Sequence, residues 1–141
     1  MTLVPDKVKT RVLFVDDEPN ILRGLQRSLR PLRKDWDMAF ADGGEQALET
    51  LGQEPFDVIV TDMRMPGMDG TQLLKKVKKR HPDIARIILS GHSDEQMTLK
   101  AVKYAHQYLS KPCEKKVLVA SINRACYLRS FLKDKALKRL L

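Results

Sequence analysis

Four places in this 141-residue sequence carry polar residues of types suited to handling a phosphoryl group: Asp16-Asp17, Asp62, Ser90 and Lys111. Each stands at or just past the end of a short apolar run: RVLFV (Arg11 to Val15), Val58-Ile59-Val60 before Thr61-Asp62, RIILS (Arg86 to Ser90), and Gln107 to Ser110. Val58-Ile59-Val60, uncharged and β-branched, and RVLFV read as strands buried on both faces, and the other two as further strands. In an open parallel sheet, ligands bind outside the carboxyl ends of the strands. All four places then share one edge, and Asp62 lies where chemistry happens.

Three carboxylates gathered at one edge repel, and at least one of their pKa values must rise. A divalent cation removes the conflict. Mg²⁺ suits the site, with Mn²⁺ as a substitute, because it takes hard oxygen ligands, keeps several waters, and uses few carboxylates plus a phosphate. Lys111 and the Ser90 hydroxyl then supply a positive charge and a hydrogen bond for phosphate oxygens. Asp62 remains as the nucleophile, forming an aspartyl phosphate.

The elements that must position these residues alternate along the chain. After the first strand, Pro19 opens a helix with Ile21, Leu22, Leu25, Leu29 and Leu32 at core spacing, and Pro31 ends or kinks it. Asp37 to Ala41 is a weak second strand, and Glu45 to Leu51 a short helix with Ala47, Leu48 and Leu51 inward. The third strand ends at Asp62 and runs into Met65-Pro66-Gly67-Met68-Asp69-Gly70, which must turn sharply. Leu73, Leu74 and Val77 face the core in the next helix, which His81-Pro82 terminates. Ser93-Asp94-Glu95-Gln96 has capping-box form and should start a helix running to about Lys103. The fifth strand is Gln107 to Ser110, and from Glu114 onward the pattern is helical. Five strand–helix alternations specify an α/β domain, a parallel sheet with helices on both faces.

Composition bounds the function. At 43% hydrophobic and 31% charged residues, the chain has ordinary globular makeup. No apolar stretch approaches the roughly 20 residues of a bilayer span, and MTLVPDKVKTR has no signal-peptide core, so a cytoplasmic location is expected. Cys113 and Cys126 fit no metal spacing or disulfide framework. The net charge is +8, and seven of those charges arise in residues 111–141, where nine Lys or Arg face Glu114 and Asp134. No nucleic-acid-binding motif accompanies that basic tail, so it is read as a solvated helix face.

The set Asp16-Asp17, Asp62 followed by MPGMDG, Ser90-Gly91, and Lys111-Pro112, in this order and spacing, resembles the receiver domains of two-component response regulators over nearly all of residues 10–128. The resemblance implies a doubly wound, flavodoxin-like (βα)5 sheet of strand order 2-1-3-4-5. It implies that Asp62 accepts a phosphoryl group from a sensor histidine kinase or phosphotransfer protein, and that hydrolysis by the domain itself resets it. Asp17, Asp62 and the backbone carbonyl of Arg64 would hold Mg²⁺, with Asp16 acting mostly through water. Ser90 and Lys111 would bind phosphoryl oxygens, and Lys111-Pro112 would be cis. Tyr108 occupies the aromatic switch position, turning inward as Ser90 moves and remodelling the face of the fourth helix, fifth strand and fifth helix. Arg64 and His92 flank the mouth and would tune hydrolysis; for His92 a plain solvated loop residue is the competing reading. His81 and His106 are assigned structural roles.

The chain is expected to divide into an extension over 1–9, the receiver over 10–128, and a helical extension or linker over 129–141. Leu118, Ile122, Ala125, Leu128, Leu132, Ala136 and Leu140 continue an apolar stripe past the usual end of a receiver. Three destinations stay open: pairing with a second copy, a lead into an output domain, or a basic tail. RIILSGHSDEQMTLKAV followed by AHQYLSKPC is similar to receivers joined to HD-type (HD-GYP or HDOD) output domains. A phosphatase of the haloacid dehalogenase type needs a second Asp two residues after the first, and Arg64 stands there. The remaining alternative is a receiver fold that does not phosphorylate and serves as an interaction module.

Overall fold

The computed structural model describes residues 8–91 and 94–139. Residues 1–7, His92, Ser93, Leu140 and Leu141 lie outside it, and with them the proposed tuning role of His92 and the Ser93 end of the capping box. Five strands form one parallel sheet in the order β2-β1-β3-β4-β5. They are β1 (Thr10–Val15), β2 (Trp36–Ala41), β3 (Val58–Asp62), β4 (Ala85–Ser90) and β5 (Gln107–Ser110). The helices are α1 (Pro19–Leu29), α2 (Gly44–Gln53), α3 (Gly70–Arg80), α4 (Glu95–Ala101) and α5 (Lys115–Arg139). This is the doubly wound, flavodoxin-like arrangement with a long C-terminal helix.

Alternation along the central strands builds two cores. Leu13, Val15 and Ile59 point to the side covered by Ala47 and Leu51 of α2, Leu73, Leu74 and Val77 of α3, and Ala101 of α4. Val12, Phe14, Val58 and Val60 point the other way, against Leu29 of α1 and Leu118, Ile122 and Ala125 of α5. Successive side chains on a strand face opposite ways, so a strand covered on both sides needs apolar residues throughout. All of Val12–Val15 and Val58–Asp62 is buried.

Several boundaries and faces differ from the expectation. The second strand starts one residue early, because Trp36 pairs with Thr10 and is itself buried. The fourth takes in Ala85, which pairs with Val58. The first helix stops at Leu29, and a 3-10 segment, Arg30–Lys34, carries Pro31 where a missing N–H is tolerated. Ile21 is 43% exposed rather than inward, since α1 buries only its far end. The fourth helix ends at Ala101, short of Lys103, and its first-turn amides receive no side-chain cap from Asp94. That carboxylate turns back toward the sheet edge instead. The fifth helix begins at Lys115, one residue late.

At the amino edge of the sheet a buried arginine ties β4 to the segment before β5. Arg86 donates from Nε to the Tyr104 carbonyl (2.6 Å) and from Nη1 to the carbonyls of Ile84 (3.0 Å) and Pro82 (3.2 Å). Its backbone N–H donates to Nδ1 of His106 at 2.9 Å. Partial burial, with the charges of Arg86 and Lys78, holds the His106 imidazole below its ordinary pKa of 6.5. A depressed folded-state pKa contributes stability that is complete above the unfolded value and lost as pH falls through the folded one. Resistance to urea should therefore decline as pH falls below the ordinary imidazole value of 6.5, and less steeply in His106→Asn, which does not titrate. Parallel curves for the two proteins would remove His106 from the account.

Candidate functional site

The β3–α3 connection is shaped by two glycines. Gly67 adopts φ +77°, a left-handed conformation that side chains disfavour. Gly70 packs so closely that a Cβ there would lie 2.5 Å from the Asp62 carbonyl oxygen and 3.0 Å from Met63 Cα. Its N–H donates to the Met63 carbonyl at 2.8 Å, folding the loop back over the end of β3. Asp69 and Gln72 then form a reciprocal capping box: the Gln72 N–H reaches Asp69 Oδ1 at 2.8 Å, and the Asp69 N–H reaches Gln72 Oε1 at 3.0 Å. The Asp-x-x-Gln spacing in the sequence was the available signal for this cap.

On the scaffold so formed, strand register brings the expected residues to one edge. Val15, the last residue of β1, pairs with Thr61, and Asp62 pairs with Leu89. Asp16 and Asp17 therefore emerge beside Asp62, and carboxylate oxygens of all three lie within 4.8 Å of one another. Asp16 is 3% and Asp62 7% exposed. The Lys111 ammonium forms an ion pair with Asp62 Oδ1, the same oxygen that accepts the Met63 N–H at 3.0 Å. Asp16 Oδ1 accepts the Glu18 N–H at 2.9 Å. Ser90 sits next to this group, its carbonyl accepting the Lys111 N–H at 2.9 Å, and the Lys111–Pro112 peptide bond is cis.

Electrostatics sets these groups apart from ordinary surface charges. Burial raises the Asp16 pKa, reinforced by Asp62 and Asp17 and partly offset by the Glu18 N–H and Lys111. Burial would lower Lys111, but the bond to Asp62 and the charges of Asp62, Asp16 and Glu18 outweigh it and hold its ammonium above the usual range. One cation thus faces three carboxylates. Three clustered carboxylates supply the hard oxygens that a small divalent cation takes.

Other expected residues are arranged around this centre. Tyr108 pairs with Ile88 in the sheet and packs, partly buried, against the core on the α4 side, together with Met97 and Tyr104. Arg64 projects past the site with its side chain 59% exposed, and its Nε donates to Asp94. The Asp94 side chain is only 5% exposed, and its Oδ2 accepts the Gly91 N–H at 2.7 Å. Burial would raise this carboxyl, yet the bonds from Arg64 and Gly91, with the charges of Arg64 and Lys111, hold it below the usual range. Asp94 and Gly70 are site-edge residues whose contacts sequence reasoning passed over, one read only as part of a capping box and the other only as part of a turn.

The family described as the response regulator receiver domain matches residues 12–123, and the chain belongs to it. Over 115 residues the chain is 38% identical to the DNA-binding transcriptional regulator NtrC of Escherichia coli (strain K12), covering 81% of this chain and 24% of NtrC. Among solved structures, a response regulator receiver domain protein from Clostridium thermocellum is 32% identical with a TM-score of 0.81, covering 87% of this chain and 98% of that one. The signal receiver domain of an HD domain-containing protein from Pseudomonas fluorescens Pf-5 is 30% identical with a TM-score of 0.82, covering the same shares. The chain spans about a quarter of the length of the curated relative named above. Receivers are signalling switches rather than classical enzymes. Among the described residues, no helix is long and apolar enough to cross a membrane.

Proposed function

We propose that this chain is a phosphorylation switch in which Asp62 accepts a phosphoryl group from a phosphohistidine of a sensor histidine kinase or phosphotransfer protein. In that transfer the P–N bond to the donor imidazole breaks as an Asp62 Oδ–P bond forms, and the freed imidazole nitrogen keeps its electron pair. The observation that carries the reading is the buried Asp62 carboxylate, ion-paired to Lys111 and crowded by Asp16 and Asp17. Asp17, Asp62 and the Arg64 backbone carbonyl would hold Mg²⁺, or Mn²⁺ in its place, with Asp16 acting through water. When bound, the ion would neutralise the acidic cluster and offset charge on the phosphoryl oxygens. Lys111 and the Ser90 hydroxyl would take the remaining oxygens, orienting the group for in-line transfer.

Phosphorylation adds roughly −2 of charge and several acceptor oxygens. It biases a domain that has two arrangements close in free energy. Ser90 would close on the phosphoryl group and Tyr108 turn inward, changing the α4–β5–α5 face. The output would be pairing with a second copy through that face or through the C-terminal helix, or control of a linked output domain beyond a receiver spanning 10–128, with 129–141 as its helical lead. Water attack would reset the switch slowly, at a rate set by Arg64 and, by the family resemblance alone, His92. A cytoplasmic location follows from such a donor.

The test is intact mass after incubation with acetyl phosphate, with and without Mg²⁺. A single Mg²⁺-dependent phosphoryl adduct is expected, and borohydride, which reduces an aspartyl phosphate to homoserine, should mark residue 62. An unmodified chain that also fails to bind beryllofluoride would sink the acceptor reading and leave a protein-interaction module.

A further inference from the structure

We propose that the Arg64–Asp94 ion pair is a latch across the mouth of the acidic site, opened when a phosphoryl group on Asp62 draws the Arg64 guanidinium to itself. This inference rests on the acceptor reading above. Its basis is a contact between residues thirty apart that joins the β3–α3 loop to the start of α4. Arg64 leaves the chain two residues after Asp62 and is largely exposed, whereas its partner carboxylate is buried.

Asp94 does more than pair with Arg64. Its second oxygen accepts the Gly91 N–H, and its own N–H returns to the Gly91 carbonyl at 3.1 Å, so Gly91 and Asp94 are joined twice. Ser90 is in turn bonded through its carbonyl to the Lys111 N–H. One guanidinium thus reaches, through one carboxylate, the residue that follows Ser90 and, through Ser90, the lysine that pairs with Asp62.

The chemistry of exchange is direct. A guanidinium presents the same planar fork of donors to a carboxylate and to a phosphate. The Asp94 carboxylate offers it one negative charge, and a phosphorylated Asp62, two residues away along the chain, offers about two. The arginine end of the pair is solvated, so it is held modestly and can be drawn off. Once Arg64 moves, Asp94 loses a counter-charge while still buried, which weakens its hold on Gly91 and biases Gly91 and α4 toward a second arrangement. Asp94 is therefore a positioning residue that competes with the phosphoryl group for Arg64.

Competition predicts opposite signs. Arg64→Met, Asp94→Asn, Asp94→Glu and the Arg64→Met/Asp94→Asn double variant would be phosphorylated with acetyl phosphate and Mg²⁺, and adduct lifetime followed by intact mass after donor removal. Asp94→Asn, isosteric but uncharged, leaves Arg64 to the phosphoryl oxygens and should lengthen the lifetime about threefold. Arg64→Met should shorten it by about the same factor, the double variant should follow Arg64→Met, and Asp94→Glu should return toward wild type. With [¹⁵N]glycine, the Gly91 amide of unphosphorylated Arg64→Met should lie displaced from wild type toward the phosphorylated position. Lifetimes that move together, or not at all, would overturn the latch, as would a Gly91 amide indifferent to phosphorylation. A wild-type chain that takes no phosphoryl group would instead fail the acceptor reading itself, and the latch with it.

Discussion

Asp62→Asn should take up no phosphoryl group from acetyl phosphate, and Lys111→Met should take it up about a hundredfold more slowly than wild type. The two substitutions separate nucleophile from clamp. Asparagine keeps the shape of Asp62 and a carbonyl oxygen for the Met63 N–H, now 3.0 Å from Oδ1, so the loop behind it should hold. It lacks the anionic oxygen that attacks phosphorus. Methionine at 111 leaves the nucleophile in place but removes the cation paired with it. A preorganised donor aimed at developing charge in a closed site is worth ~10²–10³ in rate. The lower figure applies here, because the Lys111 side chain is 38% exposed and water replaces part of its contribution. Adduct formation followed by intact mass reads both. Uptake by Asp62→Asn at the wild-type rate would move the acceptor elsewhere, and an unaltered rate in Lys111→Met would remove the lysine from the transfer step.

The second large effect is on stability. Gly70→Ala should lower the unfolding free energy by about 3 kcal/mol, the upper end for overpacking, and the melting temperature by roughly 10 °C. Its added carbon would meet the Asp62 carbonyl at 2.5 Å and both Met63 Cα and Ile88 Cδ1 at 3.0 Å. Two of those three are backbone atoms at the end of the central strand, which cannot turn aside as a side chain tip would. Relief requires moving either α3 or Asp62 itself. Gly24→Ala is the control, since nothing lies within 4 Å of a Cβ there and the position is inside α1. It should stabilise by about 0.5–1 kcal/mol. Thermal unfolding of the two proteins side by side decides the matter, and equal melting temperatures would show that the helix start can shift freely.

Much of this architecture was legible because the sheet is covered on both sides. Val12–Val15 and Val58–Val60 must be apolar at every position, and that leaves a short, unambiguous signal. The acidic residues at the ends of such runs had only one edge to occupy once the strands were parallel. What could not be read depended on distant partners. Ile21 has the right spacing for the core, yet in α1 only Leu29 is fully buried. Asp94 looked like one member of a capping box, a local motif, while its carboxylate serves Gly91 and an arginine thirty residues earlier. Gly70 has no side chain to signal its contact with β3. In the tail, Leu118, Ile122 and Ala125 pack as the stripe requires and Leu128 is 47% exposed; the side chains of Leu132 and Ala136, like Leu140, fall outside the described residues.

Helix α5 begins near the acidic edge, but its firmest polar attachment is at the opposite one. Arg129 donates to Asp57 Oδ1 at 2.9 Å and to the Asp83 carbonyl, on the segments that enter β3 and β4. The helix is therefore tethered at both ends of its packed stretch, by the core at Leu118 and Ile122 and by Arg129. At 1.5 Å per residue, the arm from Arg129 back to Lys115 is ~21 Å and the arm out to Arg139 is ~15 Å. A rigid rod pivoting there swings its outer end in the opposite sense to its inner end, by about seven-tenths of the distance. A tilt of α5 about that contact would carry a movement beside Lys111 to Arg139 reversed in direction and only slightly reduced.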